Sequence, residues 1–117
     1  MKKKILLIDD EEILVKRVSK IIGNENNEVF TAYNGEDGLR LILSSKWDLI
    51  ICDINMPKKN GIDVLKEARS LGSRDKFIFF TGHGNEELML ESLKYGANGF
   101  VDKPNFTNLR KAINDNL

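Results

Sequence analysis

Four short apolar runs, Ile5-Leu6-Leu7-Ile8, Leu49-Ile50-Ile51-Cys52, Phe77-Ile78-Phe79-Phe80 and the weaker Gly99-Phe100-Val101, recur along the chain with helix-period segments between them. A continuous run of this length marks a strand covered on both faces, because a strand with one wet face alternates apolar with polar residues. A more mixed segment, Glu28-Val29-Phe30-Thr31-Ala32, reads as an edge strand. Leu14, Val18, Ile21 and Ile22 form one helical stripe; Leu39, Ile42 and Leu43 a second; Ile62, Leu65, Ala68 and Leu71 a third. Met89 and Leu93 open a fourth, with Leu88 turned outward by about 100°, and Phe106, Leu109 and Ile113 make a fifth. Gly23, Gly72 and Gly96 fall near helix ends, and Asn34-Gly35 and Asn60-Gly61 near helix starts. The order is βα repeated five times, which predicts a parallel sheet with right-handed crossovers and helices on both faces, a three-layer α/β sandwich. Trp47, just before the third strand, is expected to cap the core.

The 117 residues suit one domain spanning 1–117, with no room for a second, output domain. Lys plus Arg (18) balance Asp plus Glu (18), so there is no positive field of the kind that holds nucleic acid. The only cysteine, Cys52, sits in an apolar run as a small buried hydrophobe, which excludes a disulfide within the chain. After the basic start Met1-Lys2-Lys3-Lys4 the apolar stretch ends at Ile8, too short for a signal peptide, and no run approaches membrane-spanning length. A cytoplasmic protein with no membrane contact is the expectation.

In open parallel sheets the functional crevice lies beyond the carboxyl ends of the strands. There the sequence places Asp9 and Asp10 after the first run, Asp53 after the third, Thr81 after the fourth, and Lys103 with Pro104 after the last. Each has a plain alternative: Asp9 or Asp10 can N-cap the first helix, with Glu11 and Glu12 favourable near its positive end, Asp53 can be a turn residue, and Thr81 and Lys103 can be loop residues. The topology, however, brings all of them to one rim. Gathered carboxylates repel unless a cation sits among them, and oxygen-only donors that leave room for water suit Mg²⁺. Mg²⁺ held by few carboxylates completes its shell with phosphate oxygens, and the lysine and hydroxyl can stabilise the rest of a transferring phosphoryl group. Asp53, alone after the central strand, is the candidate acceptor.

The motifs Leu-Ile-Asp9-Asp10-Glu11, Asp53-Ile-Asn55-Met56-Pro57, Thr81-Gly82 and Gly96-Ala97-Asn98-Gly99-Phe100-Val101-Asp102-Lys103-Pro104 together resemble the receiver domain of two-component response regulators, over essentially the whole chain. The resemblance implies a flavodoxin-like (βα)5 fold with strand order 2-1-3-4-5. It implies Asp53 as phosphoacceptor, Mg²⁺ held by Asp9, Asp10, Asp53 and the backbone carbonyl of Asn55, Lys103 paired with the phosphate, and Thr81 and Phe100 as switch residues. It further implies a sensor histidine kinase or histidine phosphotransfer protein as donor, and a protein target reading the face of helix 4, strand 5 and helix 5. The resemblance also implies that Phe100 stands where the family places an aromatic that moves inward as Thr81 shifts, here a phenylalanine without a phenolic hydroxyl.

His83, the only histidine, reads as an exposed loop residue. The resemblance adds that Asn55 and His83 occupy positions whose side chains tune aspartyl-phosphate hydrolysis. Gly35, Gly38, Gly82 and Gly84 form no phosphate-cradling motif, so ATP binding is not indicated. A haloacid dehalogenase-type phosphatase is disfavoured because Asp53 is followed by Asn55 instead of by the second aspartate of Asp-x-Asp.

Overall fold

A computed structural model describes residues 1–117. Five strands alternate with five helices: β1 (Lys3–Ile8), α1 (Glu12–Ile22), β2 (Asn27–Ala32), α2 (Gly35–Ser44), β3 (Leu49–Cys52), α3 (Gly61–Ser70), β4 (Phe77–Thr81), α4 (Glu86–Lys94), β5 (Gly99–Asp102) and α5 (Phe106–Asn116). The strands form one parallel sheet in the order β2-β1-β3-β4-β5, with β2 on an edge as its mixed sequence requires. No helix is long and apolar enough to cross a membrane.

The apolar runs are continuous because each strand serves two cores. Successive side chains point to opposite faces of a sheet, so Leu6, Ile8, Ile50, Cys52, Phe77 and Phe79 enter one cluster with Ile42, Leu65 and Ala68. Their neighbours Ile5, Leu7, Leu49, Ile51, Ile78 and Phe80 enter the other, against Val15, Val18, Ile22, Leu109 and Ile113 of α1 and α5. Trp47 closes one end of the first cluster, edge-on to Phe30 at 5.3 Å with Nε1 donating to the Leu41 carbonyl. Asn34 and Asn60 cap α2 and α3 through their side chains, and Gly72 and Gly96 take the positive φ that follows α3 and α4.

The helix stripes need correction. Ile21, Leu43 and Leu71 are exposed, and α1 instead buries Val15 with Val18 and Ile22. In α2 the buried face is Gly35, Gly38 and Ile42. Ile42 is buried as expected, and a Cβ at Gly38 would lie 2.7 Å from the Ile8 side chain, so close approach to β1 defines the rest of that face. In α4 the expected phase is off by about one residue: Met89 (37%) and Leu93 (51%) are exposed, whereas Leu88 packs partly into the core above the buried Ser92. Ser92 tolerates burial because its Oγ donates to the Met89 carbonyl at 2.7 Å, and hydrophobic periodicity carries no sign of such an arrangement.

The sheet also fixes the chain beyond β3. Gly61, at the start of α3, lies so close to Asp53 that a Cβ there would sit 2.1 Å from the Asp53 carbonyl oxygen and 2.9 Å from the Phe79 ring. Both neighbours are held in the core. Gly61→Ala is therefore expected to lower unfolding stability by about 1–3 kcal/mol. Gly82→Ala, whose nearest contact would be Lys103 Cβ at 3.9 Å, should stay within about 0.5 kcal/mol of wild type in the same urea titrations.

Candidate metal centre

The ladder places the acidic residues by continuing one step past the strands. Asp9 N–H donates to the Ala32 carbonyl at 3.1 Å, and Asp53 N–H to the Ile8 carbonyl at 2.9 Å. Both backbones are thus held like strand residues while their side chains leave the sheet at its carboxyl edge. Each carboxylate is then oriented by an amide: Asp53 Oδ1 accepts from Ile54 N–H at 2.8 Å, and Asp9 Oδ1 from Glu11 N–H at 3.0 Å. Their second oxygens face the ammonium of Lys103, at 2.8 Å from Asp9 Oδ2 and 3.4 Å from Asp53 Oδ2. Lys103 is carried there by β5, and its N–H donates to the Thr81 carbonyl at 3.0 Å.

Asp9 and Asp53 are each only 3% exposed, and Asp10 lies on the open side. One carboxylate oxygen from each of Asp9, Asp10 and Asp53 lies within 4.8 Å of the others. This is a hard, oxygen-only donor set with one solvent-facing member, and it fits a cation that keeps part of its water shell, as Mg²⁺ does. Burial raises the Asp9 carboxyl above its ordinary value of 3.8; the Lys103 and Glu11 N–H hydrogen bonds oppose the rise, and the Asp53 charge adds to it. Burial by itself pulls the Lys103 ammonium down, but the Asp9 hydrogen bond and the charges of Asp9, Asp53 and Glu11 leave it raised above 10.5. Burial drives the Cys52 thiol far up, keeping it protonated behind the site.

Thr81 is the last residue of β4 and fully buried, its Oγ1 accepting from His83 N–H at 3.2 Å. Phe100 is half-buried, its ring 6.0 Å from that of Phe79 and tilted by 53°, and Gly84 closes over it so tightly that a Cβ would lie 2.6 Å from its ring edge. Asn55 and His83 are exposed on the two loops flanking the rim. Of the residues read from the strand ends, Asp9, Asp10, Asp53 and Lys103 meet through their side chains, whereas Thr81 joins Lys103 through its backbone carbonyl. Sequence reasoning missed the part of Glu11, taken only as a helix-dipole residue. Glu11 occupies the N-cap position of α1 without a side-chain cap bond, and its Oε2 lies 3.8 Å from the Lys103 ammonium. The Asp9 side chain instead closes a turn onto the Glu11 amide ahead of the helix, and an Asp-x-x spacing before a helix is its sequence signal.

A doubly wound α/β domain with a buried, lysine-paired acidic centre beyond its central strands is what fold and rim define together. The chain belongs to the response regulator receiver domain family, whose model matches residues 5–114. It is 32% identical over 105 residues to the chemotaxis protein CheY of Thermotoga maritima, covering 89% of this chain and 88% of that protein. It is 31% identical over 101 residues to the transcriptional regulatory protein DltR of Streptococcus agalactiae, covering 86% of this chain but 45% of that protein. The chain thus spans under half the length of that larger regulator. Among solved structures, the response regulator TrrA of Thermotoga maritima in complex with Mg²⁺-BeF superposes with a TM-score of 0.87 at 33% identity, over 98% of this chain and 99% of that one.

The Asp9 shift has a definite sign. A carboxyl whose folded pKa lies above its unfolded value binds its proton more tightly in the folded chain, so its ionisation costs stability above the folded pKa. That cost fades as pH falls from there through 3.8. In magnesium-free buffer an NMR titration should place the Asp9 midpoint above 3.8, and Lys103→Met should move it higher still, because both contributions of Lys103 lower it.

Proposed function

We propose that the domain is a phosphoacceptor switch: Asp53 receives a phosphoryl group from the phosphohistidine of a sensor histidine kinase or histidine phosphotransfer protein. The observation that carries this reading is the single ammonium of Lys103 set between the buried carboxylates of Asp9 and Asp53. Asp9, Asp10 and Asp53, with the backbone carbonyl of Asn55, would hold Mg²⁺, and the Mg²⁺-BeF complex of TrrA supports such a site here. Bound Mg²⁺ would offset negative charge on the phosphoryl oxygens.

The nucleophile is Asp53 Oδ2, since Oδ1 is engaged by the Ile54 amide. Its lone pair attacks phosphorus as the P–N bond to the donor imidazole breaks; the imidazole leaves with the bonding pair and takes up a proton. Lys103, already within 3.4 Å of that oxygen, pairs with the incoming charge, so positioning and electrostatics carry the acceleration. Thr81 Oγ1 uses only its acceptor capacity in the bond from His83 N–H, which leaves its proton for a phosphate oxygen. Movement of Thr81 toward the phosphate would pull the loop over Phe100 and shift that ring, biasing a two-state element.

The chain would turn over no substrate beyond its own aspartyl phosphate, with Asn55 and His83 beside the site tuning its hydrolysis. Met89, Leu90 and Leu93, exposed on α4, support the face of α4, β5 and α5 as the docking surface for a downstream protein. Balanced charge supports a protein target over direct contact with nucleic acid, and the absence of any membrane-crossing helix is consistent with a cytoplasmic setting for this domain over residues 1–117.

Incubation with Mg²⁺ and a small acyl phosphate, followed by intact mass, should add one phosphoryl group to the wild type and none to Asp53→Asn. Lys103→Ala should slow labelling by about 100-fold, the usual effect of removing one charge-stabilising donor. Equal labelling of Asp53→Asn, or no labelling of the wild type, overturns the proposal. Separately, Mg²⁺ at about 100 times its dissociation constant should stabilise the wild type by about 2.7 kcal/mol in thermal unfolding, and Asp10→Asn should blunt that gain.

A further inference from the structure

The two ends of α4 are held in different ways. Its C-terminal end is bound by the guanidinium of Arg69, which projects from the last turn of α3. Arg69 Nε donates to the Tyr95 carbonyl at 3.2 Å, and a terminal nitrogen to the Gly96 carbonyl at 3.1 Å. The other terminal nitrogen donates to the carbonyls of Ser73 at 3.3 Å and Asp75 at 2.9 Å in the α3–β4 connection. One planar fork thus joins the C-cap of α4 to the backbone leading into β4, a geometry lysine cannot reproduce. Beside it, Lys66 pairs with Glu91 at 3.0 Å and lies over the Tyr95 ring at 4.9 Å. Asn98 then locks onto β4 in both directions, donating from its N–H to the Phe77 carbonyl at 2.7 Å and accepting from Phe77 N–H at 2.9 Å.

The N-terminal end has no such ties. Asn85 caps the helix through its own side chain, Glu86 and Glu87 are exposed, and Leu88 is the one apolar residue of the first turn that reaches the core. Ser92 is the only fully buried residue of the helix. Just before it, Gly84 rests on Phe100 without room for a side chain. An element with few buried apolar contacts opens at low free energy, and it opens from its weakly held end.

We propose that Arg69 is the pivot of the switch: α4 swings about a fixed C-terminal end at Tyr95 and Gly96, while its first turn follows the loop between Thr81 and Gly84. The inference rests on the phosphoacceptor reading for what drives the motion, but the asymmetry belongs to the unphosphorylated chain. Arg69 acts at a distance from Asp53, as a positioning residue that turns a loop displacement into rotation of a helix.

Amide hydrogen exchange tests it on the whole chain in two arms, with intact mass recording phosphoryl uptake in the same samples. Without phosphate, the Gly96 and Ala97 amides should exchange at least about tenfold more slowly than those of Met89 and Leu90. Arg69→Lys and Arg69→Ala should erase that difference by about tenfold, the worth of one charge-assisted hydrogen bond, while Ile51 and Ile78 in the sheet stay protected. With labelled chain, exchange should change at residues 84–90 and stay constant at 95–97 in wild type, and change at both in Arg69→Lys. Equal exchange at the two ends of α4 without phosphate, or phosphate-induced changes at 95–97 in wild type, overturns the pivot. A wild-type chain that takes up no phosphoryl group overturns the functional reading, and the unphosphorylated arm then decides the pivot alone.

Discussion

Two carboxylates buried side by side, with one lysine to share, set the terms for the rest of this domain. Removing Asp9 and Asp53 from water is costly, and the raised Asp9 carboxyl shows that the lysine does not fully compensate. The fold tolerates this because each group follows directly on a strand and its amide is bonded back to the sheet: Asp9 to Ala32, Asp53 to Ile8 and Lys103 to Thr81. What is unfavourable for folding is an advantage for chemistry, since a site that already holds excess negative charge in a confined space favours an incoming cation and needs little reorganisation to use it.

The sequence announced the sheet and its site more clearly than it announced the helices. Continuous apolar runs such as Phe77 to Phe80 have no other comfortable place than a doubly covered strand, and the residues after such runs have no other place than the carboxyl edge. Helix faces were harder to read because they were judged by large apolar residues. Beside Ile42, the buried face of α2 is made of Gly35 and Gly38, which are invisible to any hydrophobic count. The face of α4 turns on Ser92, a polar residue whose hydroxyl bonds back within the helix. Glu11 does sit at the start of α1, but its pairing with Lys103, more than ninety residues away, is contained in no local pattern.

Those same two helices differ in how firmly they are seated. Gly38 lets α2 press directly onto Ile8, whereas α4 meets the sheet mainly through Leu88, Ser92 and the polar links at its C-terminal end. Stability is unevenly spread as a result, and the loosely seated helix is the one that adjoins Thr81 and Phe100. An element with few buried apolar contacts opens at low free energy, and α4 is the helix of that kind beside the site.

The division of every central strand between two clusters has a further consequence. Odd and even positions of β1, β3 and β4 report to different helices, so the two halves of the interior communicate only through backbone. A change of side-chain volume in the layer beneath α1 and α5 need not be answered in the layer beneath α2, α3 and α4. One half can therefore change in sequence while the other, which carries the lightly buried α4, keeps its packing. The sheet acts as a partition as much as a scaffold, and it lets rigidity and responsiveness be adjusted separately within a single small domain.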